Sequence, residues 1–131
     1  MFRSPEVVLH SAELTRDGER LGKLVAVFAG NVERLLRTYR ESIVDRQYQL
    51  GRIADAVIEL YVSACVLKRL DDLLFNQNGE AIDPKPSLIA GRYYLRTAER
   101  RIRRSLVELW DNDDADTTAA AEALLKREQV G

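Results

Sequence analysis

The sequence predicts an all-α fold, an up-down bundle of four helices, and three observations predict it. From Leu21 onward apolar residues recur at steps of three and four, the period of a helix that buries one stripe. Two of the three prolines, Pro84 and Pro86, fall in one stretch, and Asn78-Gly79 just before it has the composition of a helix stop, so the long segments are punctuated rather than continuous. The first two periodic segments are separated by only two or three residues, which makes them antiparallel neighbours. A chain of 131 residues buries roughly two-thirds of the surface its unfolded form exposes, so one core suffices without disulfides or metal.

Residues 1–14 are a lead-in arm, with Pro5 to Leu9 readable as strand, turn or docked extended chain. The first helix spans 15–40: Thr15 and Asp17 are candidate N-caps, and Leu21, Leu24, Val25, Phe28, Val32, Leu35, Leu36 and Tyr39 form its stripe. Ser42 and Asp45 have capping-box spacing and start a second helix at 42–77, the spine of the domain, which carries Ile43, Val44, Ile53, Ala54, Val57, Ile58, Tyr61, Ala64, Cys65, Leu70, Leu74 and Phe75. Gly51 inside it costs about 1 kcal/mol against alanine, which predicts close approach of another backbone. Cys65, between Ala64 and Val66, reads as a small buried hydrophobe. The third helix, 87–111, is capped by Ser87, turns Tyr94, Ala98, Ile102, Leu106, Leu109 and Trp110 inward, and ends at the acidic run Asp111 to Asp114. The fourth, 115–129, is alanine-rich with Leu124 and Leu125 as its large apolar residues, and is expected to fray or to depend on packing.

Charge and composition exclude several classes of function. A net charge of −1 argues against a wholly basic nucleic-acid binder. The longest uncharged run, Leu24 to Val32, has nine residues, less than half of a membrane-spanning helix. His10, the one histidine, has no Ser or Cys partner at a suggestive spacing, and no glycine-rich phosphate loop, metal-spaced Cys/His set or nucleophile elbow is present. No catalytic, metal-binding or cofactor-binding residue is therefore expected in this chain.

Two charged groups remain as candidates. Arg52, Asp55 and Glu59 lie three and four residues apart on adjoining parts of one helix face, where Arg52 can pair with Asp55; the expectation is a structural polar network rather than a catalytic acid pair. Arg92, Arg96, Arg100, Arg103 and Arg104 make one face of the third helix basic, with Glu99 beside it. Such a face can be solvated or salt-bridged to Glu59, Asp71, Asp72 or the acidic run after Trp110, or can hold an anionic lipid surface or a partner protein. Tyr39, Tyr48, Tyr61, Tyr93, Tyr94, Phe28 and Trp110 are spaced as core or core-edge residues.

The stretch Ile43 to Tyr61 carries a longer pattern, Ile-Val-x-x-Gln-aromatic-x-Leu-x-Arg-x-Ala-Asp-x-x-Ile-acidic-Leu-Tyr. It resembles a helix of the acyl-CoA dehydrogenases, in the extra C-terminal helical domain of the very-long-chain type. The likeness covers about Leu14 to Gln129 and is specific from Val25 to Lys68, with Arg46 standing where an acidic residue is common and Gly51 where a longer polar one is. The resemblance implies a non-catalytic piece of an FAD-dependent flavoenzyme of fatty-acid β-oxidation, whose flavin, substrate and catalytic glutamate lie in other domains. It further implies those remaining domains as partners, a homodimer, and a cytoplasmic or mitochondrial-matrix location with peripheral membrane contact. The alternative is a stand-alone helical module that docks a partner protein.

Overall fold

The computed structural model describes residues 3–75 and 83–130, the last two as backbone alone. Its regular elements are four α-helices: α1 (Thr15–Tyr39), α2 (Gln47–Phe75), α3 (Lys85–Glu108) and α4 (Asp114–Val130), with 3-10 turns at Ala12–Leu14 and Arg40–Asp45. Among the described residues there is no strand. The expected helix stop at Asn78-Gly79 lies outside the described residues.

Direction follows from the contacts at each level. Gly91 of α3 meets Leu70 of α2, while Arg52 of α2 reaches Glu108 of α3, so these two run antiparallel. Asp17 and Arg20 of α1 meet Arg92 and Glu99 of α3, and Asn31 meets Trp110 just past the end of α3, so α1 and α3 run parallel. Two apolar clusters share the space between the three. Leu24, Leu35, Ala56, Ile102, Leu106 and Leu109 fill one end, flanked by Phe28, Tyr39 and Trp110. Leu14, Leu21, Leu67, Leu70 and Leu88 fill the other, and Leu60 touches both. Each leucine buried there contributes about 1.5–3 kcal/mol, which is where the bundle's stability lies.

Several boundaries differ from the sequence expectations. The spine begins at Gln47, not Ser42, because the chain turns sharply at Arg40 (φ 47°, ψ −123°) and continues as a 3-10 turn to Asp45. Ser42 is no N-cap: its hydroxyl donates backwards to the Tyr39 carbonyl at 2.5 Å. At α1 the N-cap is Leu14, and the Thr15 hydroxyl donates to the Ala12 carbonyl. Helix α3 starts two residues before Ser87, with Pro86 in its first turn, where a missing N–H costs nothing.

The buried stripe of α2 also differs. Ala56, Ser63, Leu67 and Leu70 point inward, whereas Ala54, Val57, Ile58, Tyr61, Ala64 and Cys65 are exposed. Cys65 is thus not a core thiol, and Tyr48, Tyr61 and Tyr93 are not core aromatics. Helix α2 is apolar on both faces, so periodicity alone did not say which face the neighbours would take. Around Gly51 no atom of another element among the described residues lies within 4 Å of where a β-carbon would sit, so the expected close backbone approach is not made by any of them. The close approaches are elsewhere. A β-carbon on Gly22 would stand 2.5 Å from the Pro5 carbonyl oxygen, and one on Gly18 would stand 2.9 Å from the Leu9 side chain, so both glycines seat the N-terminal arm on α1.

Candidate functional site: polar struts and an arginine face

Three carboxylates tie α2 to the arm, α3 and α4. Asp71, near the end of α2 and only 4% exposed, accepts the backbone N–H groups of His10 (2.9 Å) and Ser11 (2.8 Å) on its two oxygens. The His10 hydrogen bond above all, aided by Ser11 and opposed by burial, holds its pKa below the usual aspartate value. The His10 ring stacks on Phe75, with centroids 4.6 Å apart. Asp71 therefore fastens the arm, and nothing local in the sequence set it apart from its neighbour Asp72.

Glu59, half-buried on α2, receives Arg101 of α3 as a fork, Nε at 2.8 Å and Nη2 at 3.1 Å, and the Tyr94 hydroxyl at 3.0 Å. The Arg101 hydrogen bond is the main cause of its lowered pKa, with Tyr94 adding to it against the cost of burial. Burial, then the hydrogen bond to Glu59 and after it the Glu59 charge, raises the pKa of the Tyr94 phenol. Arg52 forks onto Asp114 at the start of α4, Nη1 and Nη2 each 2.7 Å from an oxygen, and its Nε lies 4.0 Å from Glu108. That hydrogen-bonded pairing raises the Arg52 pKa and lowers that of Asp114.

The network expected of Arg52, Asp55 and Glu59 is thus distributed differently. Arg52 does not pair with Asp55, because its side chain reaches across to α4. Asp55 is exposed and makes no ion pair among the described residues; it shares a groove with Ile58, Glu59, Arg101 and Arg104. Arg101, outside the predicted stripe, is the arginine that engages Glu59.

Of the predicted basic face, Arg92 is tied down by Asp17 (3.1 Å) and the Glu13 carbonyl (3.0 Å), and Arg103 stands 3.9 Å from Glu99. Arg96, Arg100 and Arg104 are exposed and form no ion pair among the described residues. Ile89, Tyr93 and Val107 are exposed on the same helix. Where α1, α2 and α3 meet, a cleft of about 50 Å³ is lined by Arg20, Arg92, Arg96, Asp17, Glu99 and the 2% exposed Ser63, whose hydroxyl has no hydrogen-bond partner among the described residues. It has room for a few waters. Among the described residues no group of His, Cys, Asp and Glu is arranged to hold a metal ion, and no helix is long and apolar enough to cross a membrane.

Against this geometry the comparison with known families is direct. A family model described as "ACAD9/ACADV, C-terminal domain" matches residues 12–130, from the first 3-10 turn to the end of α4. The chain belongs to that family. Its similarity to very long-chain specific acyl-CoA dehydrogenases, named as mitochondrial, is 31% identity over 100 residues for the rat protein, covering 76% of this chain and 15% of the relative. For the human protein it is 40% over 57 residues, covering 44% of this chain and 9% of the relative, and the mouse protein gives the same figures. The chain spans about 15% of the length of the rat relative. As an ACAD9/ACADV-type C-terminal domain it shares the all-helical architecture, and its struts tie helix to helix. Arg52 and Glu59, singled out in the sequence, belong to those struts.

Proposed function

We propose that this chain is the non-catalytic C-terminal bundle of an FAD-dependent acyl-CoA dehydrogenase of fatty-acid β-oxidation, and that its work is assembly. The observation that carries this reading is one of extent: the family match fills nearly the whole chain, yet the chain is a small fraction of its relatives. The remaining enzyme domains are then its first partner, a homodimer is the assembled form, and the site of action is the mitochondrial matrix or the cytoplasm. By the same family resemblance, FAD belongs to those other domains. The test is a full-length enzyme of this type with and without the bundle. Deletion should alter the mass of the assembly in sedimentation while flavin content per body and oxidation of a short acyl-CoA persist. An isolated bundle that is yellow or oxidises acyl-CoA would overturn the reading.

A second role has its own support, in the exposed Arg96, Arg100 and Arg104 beside Ile89, Tyr93 and Val107 on α3. Guanidinium groups interleaved with apolar and aromatic side chains suit the surface of an anionic bilayer, where each basic residue contributes about 1 kcal/mol. Co-sedimentation with phosphatidylserine vesicles, absent with phosphatidylcholine alone and abolished by Arg96→Ala with Arg100→Ala, is the expected result. Binding that survives the double substitution removes this role.

A further inference from the structure

The inner row of α2 runs Ala56, Leu60, Ser63, Leu67 and Leu70, so a serine interrupts the apolar residues where the two clusters meet. Ser63 is 2% exposed, and its hydroxyl has no hydrogen-bond partner among the described residues, not even the Glu59 carbonyl one turn back that a helical serine ordinarily uses. A buried hydroxyl without a partner is costly, and Ser63 lies where a ligand can supply one, on the floor of the cleft between α1, α2 and α3.

Above that floor the parallel helices α1 and α3 bring arginines from both sides. Asp17 pairs with Arg92 and Arg20 with Glu99, each at 3.1 Å. Arg96 lies on the same face of α3 between those two bridges, lines the same cleft, and forms no ion pair among the described residues. Each carboxylate of the cleft thus has its own guanidinium, and one guanidinium is left over. Leu24 and Leu95 complete the walls and keep the local dielectric low, which strengthens any charge pairing made there.

The ligand chemistry this arrangement suits is a small tetrahedral oxyanion. Its oxygens point in all directions, so one ion can meet Arg20 of α1, Arg96 of α3 and the Ser63 hydroxyl of α2 together, whereas a planar carboxylate presents its oxygens to one side. Guanidinium forks match phosphate oxygens in pairs, and Arg20 gives only its Nη2 to Glu99. A cleft of about 50 Å³, room for a few waters, takes one such ion. We infer that this cleft binds a phosphoryl group through Arg20, Arg96 and the Ser63 hydroxyl, clamping the three helices at their junction.

Calorimetric titration of the chain with sodium phosphate, against sodium chloride of matched ionic strength, tests the inference. Saturable binding at one site is expected, with a dissociation constant of about 1 mM or below. Ser63→Ala and Arg96→Gln should each weaken it about tenfold, while Arg69→Gln, the same change of charge at an exposed position of α2 outside the cleft, should leave it unchanged. Ser63→Ala removes a hydroxyl that bonds to nothing in the protein, so the variant should melt in chloride no lower than its parent and lose only the stabilisation that phosphate adds. Glycerol 3-phosphate distinguishes the sources of the group: equal affinity assigns the site to the phosphoryl end of a larger molecule, and binding of the free ion alone makes phosphate itself the ligand. No heat beyond that of chloride at about 20 mM phosphate, or an affinity that Ser63→Ala leaves unchanged, overturns the inference. The vesicle experiment is separate, because Ser63 lies beneath the surface that a bilayer could touch.

Discussion

The Arg52 guanidinium meets the Asp114 carboxylate as a two-pronged fork, both prongs 2.7 Å, and so joins the first turns of α2 to the first residue of α4. Past Asp114 every α4 side chain described is exposed. A 17-residue helix is marginal in water by itself, so its orientation rests on this fork and on the aspartates at its N-terminus, which suit the helix dipole.

Arg52→Ala should therefore release α4 rather than unfold the bundle. Expected are about tenfold faster amide exchange over residues 117–126 and a loss of about 1 kcal/mol in overall stability, the range of a partly exposed bidentate pair. Exchange in α4 equal to that of the unaltered protein would show that something else holds it.

Asp71 gives a pH prediction. Folding lowers its pKa, so its contribution is complete above the unfolded value, near 3.9, and is lost as pH falls through the lower, folded value. The arm should stay docked at pH 5 and detach in strong acid. Asp71→Asn presents an NH₂ to one of the two backbone donors, so it should cost about 2 kcal/mol and free the arm at neutral pH. Proteolysis across Pro5 to Leu9 reads this out: cleavage of the variant no faster than of the parent would mean that Gly18 and Gly22 alone hold the arm.

Local rules carried the helices themselves and largely failed at what joins them. Periodicity and proline placement are properties of adjacent residues, and they located α1, α2 and α3 to within a few positions. The inner face of α2 was not legible, because Val57, Ile58 and Tyr61 are as apolar as Ala56, Leu60 and Leu67, and the choice belongs to α1 and α3. Ion-pair partners were misplaced for a related reason. Arg52 has Asp55 at helix spacing, but a bidentate site on Asp114, 62 residues away in sequence, offers two short hydrogen bonds in place of one solvated pair. Arg96 and Arg100 were the legible part of the basic face, whereas Arg92 was taken by Asp17 on α1.

Arg40 holds φ 47° and ψ −123°, a conformation that glycine adopts freely and a β-carbon resists. Relief of about 1–3 kcal/mol of strain outweighs the added flexibility of an unfolded glycine, about 0.5–1 kcal/mol. Arg40→Gly should raise the melting temperature by about 3 °C. A fall would mean that the Arg40 side chain contributes more than its backbone costs.

Two glycines in helix interiors should respond in opposite directions to the same added methyl. Gly51 opens on empty space, so Gly51→Ala keeps the helix-propensity gain of about 1 kcal/mol and should raise the denaturant midpoint with unchanged slope. Gly22→Ala drives a β-carbon to 2.5 Å from the Pro5 carbonyl oxygen, and backbone cannot rotate away as a side chain can. Its propensity gain is the same, but the arm must lift, exposing Leu9 and Leu14 and straining the Asp71 contacts with His10 and Ser11. The outcome should be a net loss of about 1–2 kcal/mol, with faster exchange at the His10 and Ser11 amides as its signature. Equal stabilisation by both substitutions would mean that the arm does not rest on α1 in solution.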